Sequence, residues 1–398
     1  MSTLKNYKHT IYACYTGYIV QAIVNNFAPL LFLTFRSQYG ISLDKIALLT
    51  TFNFGIQLLV DLICAKVADK IGYRILAVAA HIFAAAGLVF LAVLPEILPA
   101  PFVGICIAVT VYAIGGGLLE VLISPIVEAC PTNSKSGAMS LLHSFYCWGS
   151  VFVIGVSTLF FALFGTQNWQ ILALFWALIP IANSVYFAKV PIHTLVESGE
   201  SMSFTQLFKT GIFWVLLLMM VAAGAAEQGM SQWASAFAES GLRIDKTTGD
   251  LLGPCMFSLL MGLTRLFYGK CSHKIRLAPF MTGCAILCVI GYLLAALSSH
   301  PALGLAGCAL CGLSVGIMWP GTFSTASKTL KTGGTAMFAL LALAGDLGCT
   351  AGPAAVGTIS DWFGDDLKKG LLAAAIFPLL LIVGILLSRR GARQSMSK

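Results

Sequence analysis

Two stretches of eleven residues decide how this chain is organised: residues 61–71 read DLICAKVADKI, and residues 265–275 read RLFYGKCSHKI. Each stretch begins with a charged residue inside an apolar segment, carries a lysine five positions later and ends in Lys-Ile. The two stretches lie about half a chain apart. A pattern that recurs at this separation predicts an internal two-fold repeat.

Long apolar segments flank both stretches. Hydrophobic residues make up 58% of the 398 residues and charged residues only 10%, whereas soluble domains carry roughly 25% charged residues. The apolar segments are long enough for a helix to cross the roughly 30 Å hydrocarbon core, and they are continuous rather than alternating, which excludes a β-barrel. We therefore predict an all-α integral membrane protein. Its twelve transmembrane helices are expected near residues 10–35, 44–66, 75–94, 101–127, 136–163, 169–188, 211–238, 248–269, 277–298, 302–327, 334–359 and 370–388.

The distribution of basic residues predicts the orientation. With the N-terminus inside, most of the 24 lysine and arginine residues fall on the inner side, as the positive-inside rule expects of cytoplasmic loops. We therefore place both termini in the cytoplasm and the protein in a bacterial inner membrane. The leader with Lys5 and Lys8 runs into a first span too long for a signal peptide, so we expect that span to be retained. The net charge of +8 follows from this topology, and no nucleic-acid partner is expected.

The longest polar stretch lies in the middle of the chain, at residues 189–210. We interpret it as a cytoplasmic linker between an N-terminal six-helix bundle, residues 1–188, and a C-terminal six-helix bundle, residues 211–398. Two pseudo-symmetric bundles are a transporter design in which the solute site lies between the halves and the halves rock about it.

The twelve cysteines lie in or near the predicted spans and indicate no disulfide framework. The spacings Cys284/Cys288 and Cys308/Cys311 resemble those of metal-binding pairs. Each pair lies in an uncharged apolar helix without a nearby histidine, however, so buried thiols are the better interpretation. We expect no metal site.

Residues 65–74, AKVADKIGYR, resemble the loop signature of the major facilitator superfamily, with Ala65 at a position where glycine is usual. They fall between the second and third predicted spans, which is the place of the signature in that family. The resemblance implies the twelve-helix major facilitator fold, and it implies gating or structural roles for Asp69 and Arg74.

Residues 119–125, LEVLISP, are similar to the fucose permease group of that superfamily, whose matching glutamate takes part in proton coupling. Asn25 and Asn26 in the first span and residues 143–146, HSFY, extend the likeness. In one departure, the acidic residue of that group's first span is missing, with Pro29 near its place. The resemblance implies a secondary active transporter that takes up a sugar or another small neutral polar solute with protons. We expect a monomer with no cofactor besides the coupling proton.

Ionisable residues inside a bilayer span cost about 2.5–3.5 kcal/mol each on insertion scales, so each calls for a reason. Glu120 and His143 lie at similar depths in consecutive antiparallel helices. We predict a contact between them that accepts and releases the coupling proton, with a structural hydrogen bond as the alternative. Asp346 is interpreted as a second proton site, with substrate binding or structural pairing as alternatives. Asp61 and Arg265 occupy equivalent positions in the repeat, and we interpret both as gating or packing charges.

Polar and aromatic side chains at helical spacing predict a solute site. Carboxyl, amide and aromatic groups together suit a polyhydroxylated ligand, because its hydroxyls need donors and acceptors while its CH face stacks on a ring. Hydrogen bonding between helices is the alternative. The predicted substrate-binding residues are Tyr18, Gln21, Asn25, Asn26, Tyr112, Tyr146, Glu227, Gln228, Gln232, Trp233 and Trp319.

Two other functions compete with uptake. Drug or metabolite exporters driven by proton antiport commonly carry Gly-Pro in the fifth span, but here Gly352-Pro353 lies in the eleventh. Aspartyl intramembrane proteases carry Gly-x-Gly-Asp, and residues 343–346, LAGD, lack the first glycine. We therefore expect a transporter rather than an enzyme, with efflux as the alternative direction.

Overall fold

The computed structural model describes the backbone of residues 2–131, 135–192, 202, 204–271, 275–330 and 333–395. Within these ranges it leaves out the side chains of residues 2–6, 65–70, 128, 135–140, 204, 269, 327, 334–336, 338–339 and 390–395. All regular structure in the described ranges is helical. Among the described residues, 12 helical segments are long and apolar enough to cross a membrane. The predicted all-α integral membrane fold is confirmed.

The twelve segments follow the predicted order, with ends that differ by up to seven residues. They are numbered span 1 to span 12 along the chain: Tyr7–Tyr39, Leu43–Cys64, Tyr73–Ile97, Pro101–Val127, Leu141–Phe164, Thr166–Lys189, Gly211–Ser231, Lys246–Tyr268, Leu277–Leu297, Pro301–Ala326, Leu340–Trp362 and Leu367–Arg389.

The chain divides into two compact units, Met1–Val196 and Glu197–Lys398, and the division falls inside the polar segment 189–210. The helices of unit 1 are Ser2–Asn26, Phe32–Tyr39, Leu43–Ile71, Tyr73–Ile97, Pro101–Ala129, Lys135–Phe164 and Trp169–Lys189, with 3-10 turns at Ala28–Leu31 and Thr166–Asn168. The helices of unit 2 are Phe204–Lys209, Gly211–Ser231, Ala234–Ala236, Lys246–Asp250, Met256–Cys271, Leu277–Leu297, Pro301–Val315, Met318–Thr329, Gly334–Trp362, Leu367–Ala374 and Ile376–Ser395, with π-helical turns at Phe237–Gly241 and Leu251–Cys255.

Glycine allows spans 3 and 4 of unit 1 to pack backbone against backbone. A Cβ atom built on Gly87 would lie 2.4 Å from the backbone nitrogen of Tyr112, and one built on Gly115 would lie 2.5 Å from the carbonyl oxygen of Ala80. Small residues favour helix association in a bilayer because they let dispersion contacts form along the whole backbone. The polar pattern on span 4 is therefore held at a fixed rotation.

Spans 7 and 11 of unit 2 pack in the same way. Cβ atoms built on Gly348 and Gly352 would lie 2.1 Å from the carbonyl oxygen of Val221 and 2.4 Å from that of Ala225. Both glycines follow the mid-span Asp346 within two helical turns, so the small residues on this side of the acid are required by close helix packing.

Spans 7 and 8 are joined by an ion-pair cluster on the side predicted to be external. The ammonium group of Lys246 lies 3.0 Å from the carboxylate of Asp250 and 3.9 Å from that of Glu239, and it donates a hydrogen bond to Ser235 at 3.1 Å. Burial raises the pKa of the Glu239 carboxyl, and attraction to Lys246 offsets only part of this effect. The cluster ties the π-helical turn after span 7 to the beginning of span 8.

Candidate functional site

Four buried amide side chains form a connected hydrogen-bond network between spans 1 and 2 of unit 1. Gln57 is at its centre: its Oε1 accepts from Gln21 at 2.8 Å, and its Nε2 donates to Asn25 at 3.0 Å and to Asn53 at 3.0 Å. Asn53 in turn donates to Asn25 at 2.9 Å. We call Gln21, Asn25, Asn53 and Gln57 the amide network. All four are buried, and their mutual hydrogen bonds replace those that water cannot supply at this depth.

The amide network extends to more exposed groups on spans 4 and 5. Gln21 Nε2 donates to the carboxylate of Glu120 at 3.3 Å, and Asn25 Nδ2 donates to the hydroxyl of Tyr146 at 3.5 Å. Glu120 and Tyr146 are half-buried. A buried layer of hydrogen-bonded amides therefore contacts a carboxylate and a phenol that are partly accessible.

A second set of contacts lies one turn along span 1. The Tyr18 hydroxyl lies 3.1 Å from Ser124 Oγ and 3.5 Å from Nδ1 of His143, whose ring meets that of Tyr18 edge-on at 5.5 Å. His143 is exposed. Because Ser124 lies one turn after Glu120 on span 4, spans 1 and 4 share two successive polar contacts, Gln21 with Glu120 and Tyr18 with Ser124. One face of span 1 therefore contacts both residues predicted to carry the proton: Gln21 contacts Glu120, and Tyr18 contacts His143.

Asn53 and Gln57 were missed by the sequence analysis, although a signal was present. Asn53, Gln57 and Asp61 follow one another at four-residue spacing on span 2, so they lie in one row. The sequence analysis selected Asp61 for its charge alone. Its side chain is buried. The same row predicts polar partners on the neighbouring helix.

In unit 2, Glu227 and Arg265 form an ion pair. Arg265 Nη2 lies 3.4 Å from Glu227 Oε2, and its Nε donates to the carbonyl oxygen of Gly316 at 3.4 Å, where span 10 is interrupted between its two helices. Gln228 donates to Glu227 at 3.4 Å and accepts from Gln232 at 3.0 Å. Sequence analysis assigned Glu227 and Arg265 to separate roles, and the structure pairs them.

Other predicted substrate residues take packing positions in this structure. Trp233 is fully buried, and its indole N–H donates to the carbonyl oxygen of Pro353 at 3.0 Å. Tyr112 is buried against Gly87, and Asn26 is buried and donates to Ser150 at 3.0 Å. The polar groups of Trp233 and Asn26 stabilise helix contacts, and Tyr112 contributes close packing.

Trp319 and Asp346 are neighbours along unit 2. The ring of Trp319 lies directly over Gly345, where a Cβ atom would come within 2.1 Å of it. Asp346 is the next residue and is buried. The absence of a side chain at Gly345 therefore lets the Trp319 ring pack against span 11 one residue before the mid-span Asp346.

Arg74 has a structural position in unit 1. Its guanidinium group donates to the carbonyl oxygens of Phe187 and Ala188 at 3.1 and 2.7 Å, which are among the last carbonyls of span 6 and lack partners within the helix. The side chain of Asp69 lies outside the described residues. Sequence analysis passed over His81, which is buried with its ring nitrogens 2.7 Å from the Ala77 carbonyl oxygen and 2.7 Å from the Asn183 amide.

Comparison with known families decides the identity of the fold. Residues 14–353 match the family model described as Major Facilitator Superfamily. The chain belongs to the major facilitator superfamily. No curated protein sequence matches it.

Solved transporters of this superfamily share its fold over nearly their whole length. A D-xylose-proton symporter has a TM-score of 0.78 at 13% identity, covering 96% of this chain and 97% of that chain. A bacterial homologue of the human lysosomal transporter Spinster, inward-facing and occupied, has a TM-score of 0.76 at 13% identity, covering 97% of both chains. The fucose:proton symporter FucP of E. coli has a TM-score of 0.66 at 14% identity, covering 96% of this chain and 99% of that chain.

These comparisons confirm the predicted major facilitator fold with its twelve membrane helices. Identities of 13–14% show likeness of fold, so the chemistry must be argued from the side chains of this chain. The protein is a multi-pass membrane transporter by family.

Proposed function

We propose that this major facilitator protein is a secondary transporter of the bacterial inner membrane that couples proton entry to the uptake of a sugar or another small neutral polar solute by alternating access. The observation that carries the proposal is the contact of Glu120 with the amide network. The carboxylate accepts a hydrogen bond from a neutral amide, Gln21, at 3.3 Å, and a carboxyl group held by a neutral donor can exist in either protonation state.

Gln21 gives Glu120 a partner in both states. Its Nε2 donates to the carboxylate, while its buried Oε1 has no hydrogen-bond partner among the residues that the structure describes. A protonated Glu120 needs an acceptor instead of a donor, and rotation of the Gln21 amide brings Oε1 to that place. Because Nε2 also donates to Gln57, protonation at Glu120 would rearrange the amide network.

We assign His143 the exchange of protons with water. It is exposed, and it lies beside the Tyr18 hydroxyl one turn from the contact of Glu120 with Gln21. An imidazole group titrates nearest to neutral pH among the unperturbed side chains. Asp346 is assigned a second proton step in unit 2, one residue after the glycine against which the Trp319 ring packs.

Solute recognition is assigned to groups that are partly accessible or flexible in their hydrogen bonding. In unit 1 these are the Tyr146 phenol and the donors and acceptors of Gln21 and Asn25. In unit 2 they are Gln228 and Gln232, with the Trp319 ring as a stacking surface. Neutral amides and hydroxyls favour an uncharged polyhydroxylated solute, because a buried net charge would require a counter-charge.

Transport in proteoliposomes tests the proposal. With the exterior acid, the wild type should concentrate its solute, whereas Glu120→Gln should lose concentrative uptake and keep solute exchange between the two sides. Glu96→Gln is the matched control, since Glu96 is at the external end of unit 1, where Tyr39 and Gln170 donate to it at 2.6 and 3.1 Å.

Concentrative uptake by Glu120→Gln at the wild-type level would remove Glu120 from the mechanism. Accumulation that requires an acid interior instead would overturn symport in favour of antiport, which is the mechanism of an exporter.

A further inference from the structure

An apolar groove runs along the surface of unit 2 where spans 8, 9 and 10 meet. Its volume is about 520 Å³, within the roughly 300–1,000 Å³ of small-molecule pockets. Its walls include Leu263, Phe267, Phe280, Gly283, Leu287 and Leu313. Thr264 also lines the groove, but its hydroxyl donates to the Leu313 carbonyl oxygen at 2.7 Å, so the walls offer hydrocarbon contacts.

The length of the groove is close to the thickness of one leaflet. On span 9 its lining runs from Pro279, close to the beginning of the span at Leu277, to Leu287, which is about 12 Å of helix at 1.5 Å per residue. One leaflet contributes about 15 Å of hydrocarbon. A single acyl chain that enters from the end of the groove at the 8–9 loop is therefore accommodated along most of its leaflet.

Gly283 opens the groove. A Cβ atom built there would have no atom within 4 Å, and the residue is exposed. Opposite it, Leu263 and Phe267 on span 8 are 44% and 51% exposed. The groove is thus open at the surface of unit 2.

Two basic residues continue the walls of the groove beyond the membrane spans. Lys270 follows Phe267 by three residues on the helix Met256–Cys271, and Arg276 precedes Phe280 by four residues at the beginning of the helix Leu277–Leu297. At this spacing Lys270 lies on the same helix face as Phe267, and Arg276, the N-cap residue, lies one turn before Phe280, whose backbone N–H donates to the Arg276 carbonyl oxygen at 3.3 Å. Both are exposed, and the sequence from residue 251 to residue 345 contains neither Asp nor Glu.

We infer that this groove is a binding site for an anionic phospholipid of the leaflet on the side of the 8–9 loop. One acyl chain lies along the walls formed by Phe267, Phe280 and Gly283, and the phosphate group lies between Lys270 and Arg276. The aromatic rings of Tyr268 and Phe280, stacked at 5.3 Å, mark the level where chain and headgroup join, as aromatic residues do at membrane interfaces. Basic pockets at the ends of membrane helices favour anionic headgroups, each Lys or Arg contributing about fivefold.

Native mass spectrometry of the purified full-length protein tests this site. The protein is incubated with phosphatidylglycerol or phosphatidylcholine, and the lipid-bound fraction is measured. Wild type should prefer phosphatidylglycerol. The double variant Lys270→Gln/Arg276→Gln should lose at least about fivefold of that preference, and Gly283→Leu, which fills the groove, should lose bound lipid of both kinds.

Two variants serve as controls. Gly155→Leu makes the same change at a span 5 glycine that also has no atom within 4 Å of its Cβ position, and Lys189→Gln removes an exposed lysine at the end of span 6. Both should bind lipid like the wild type. The melting temperature in phosphatidylcholine identifies any variant that fails to fold. If Gly283→Leu does not fold, Gly283→Ala takes its place, and a smaller loss of bound lipid is expected.

Equal retention of both lipids by the wild type would overturn the proposal. So would a preference that survives the double variant. A third outcome would also overturn it: the double variant loses the preference, but Gly283→Leu binds lipid like the wild type. The preference would then come from the charge of the loop, and the groove would not be a lipid site.

Discussion

Removing one partner of the ion pair between Glu227 and Arg265 should destabilise unit 2 strongly. The two groups are 3.4 Å apart, and only 10% and 18% of their side-chain surface is exposed. Breaking a buried pair by removing one partner costs about 3–5 kcal/mol, because the other charge is left uncompensated. Arg265→Met should therefore lower the free energy of unfolding by about 3–5 kcal/mol. It also leaves the Gly316 carbonyl oxygen without its donor, which costs about 1 kcal/mol more.

The double variant Glu227→Leu/Arg265→Met should recover most of this loss, since replacing both charges with apolar side chains is often neutral. The assay is a double-mutant cycle on reversible unfolding in mixed micelles, with Glu227→Leu as the second single variant. A coupling free energy of about 2 kcal/mol or more is expected, compared with about 0.3–0.5 kcal/mol for independent sites. Additive single effects would refute the reasoning, because they would mean that neither charge depends on the other.

Three further predictions concern other parts of the chain. Gln57→Leu should destabilise unit 1 by about 1–3 kcal/mol for each buried amide that it leaves without a partner, as measured by unfolding in micelles, and stability equal to the wild type would contradict the amide network. Gly348→Leu should abolish folded expression, because a Cβ atom there lies 2.1 Å from a span 7 carbonyl oxygen, whereas Gly55→Leu, which meets no atom within 4 Å, should express normally. The pKa of Glu239 is raised in the folded protein, so this carboxyl keeps its proton to a higher pH there than in the unfolded chain, where its pKa is near 4.5. As pH rises from about 4.5, the wild type should therefore lose stability relative to Glu239→Gln, and melting temperatures of both proteins that change in parallel with pH would contradict this.

Hydropathy was sufficient to predict the twelve helices, because the free energy of transfer into a bilayer is summed along consecutive residues. Even the interrupted spans are long enough to be recognised in this way. Span 10 consists of two helices, Pro301–Val315 and Met318–Thr329, and the break between them has no signature in hydropathy. The sequence therefore predicts how often the chain crosses the membrane and leaves the local irregularities open.

Helix rotation explains which of the predicted site residues meet polar partners in the structure. Tyr18, Gln21 and Asn25 share one face of span 1, and all three join polar partners on neighbouring spans. Trp233 and Tyr112 also have polar groups at mid-span, but close packing turns them toward other helices. Periodicity defines a face of a helix, and only the neighbouring helices decide whether that face is packed or accessible.

The pairing of side chains on different helices could not be predicted from the sequence. Glu227 and Arg265 are 38 residues apart, and nothing in either local pattern indicates the other as a partner. Gln57 is uncharged and does not stand out among apolar neighbours, yet it holds three other amides in place. Polar residues inside a membrane protein therefore need to be interpreted as sets, because the cost of each depends on its partners.

Proton movement that accompanies the solute is the most direct test of the role assigned to Glu120. Solute is added to lightly buffered vesicles without an imposed gradient, and the external pH is recorded. The account predicts that the wild type makes the exterior more alkaline as protons enter with the solute, and that Glu120→Gln produces no such change although it still binds and exchanges the solute. An alkaline shift of wild-type size with Glu120→Gln would contradict it.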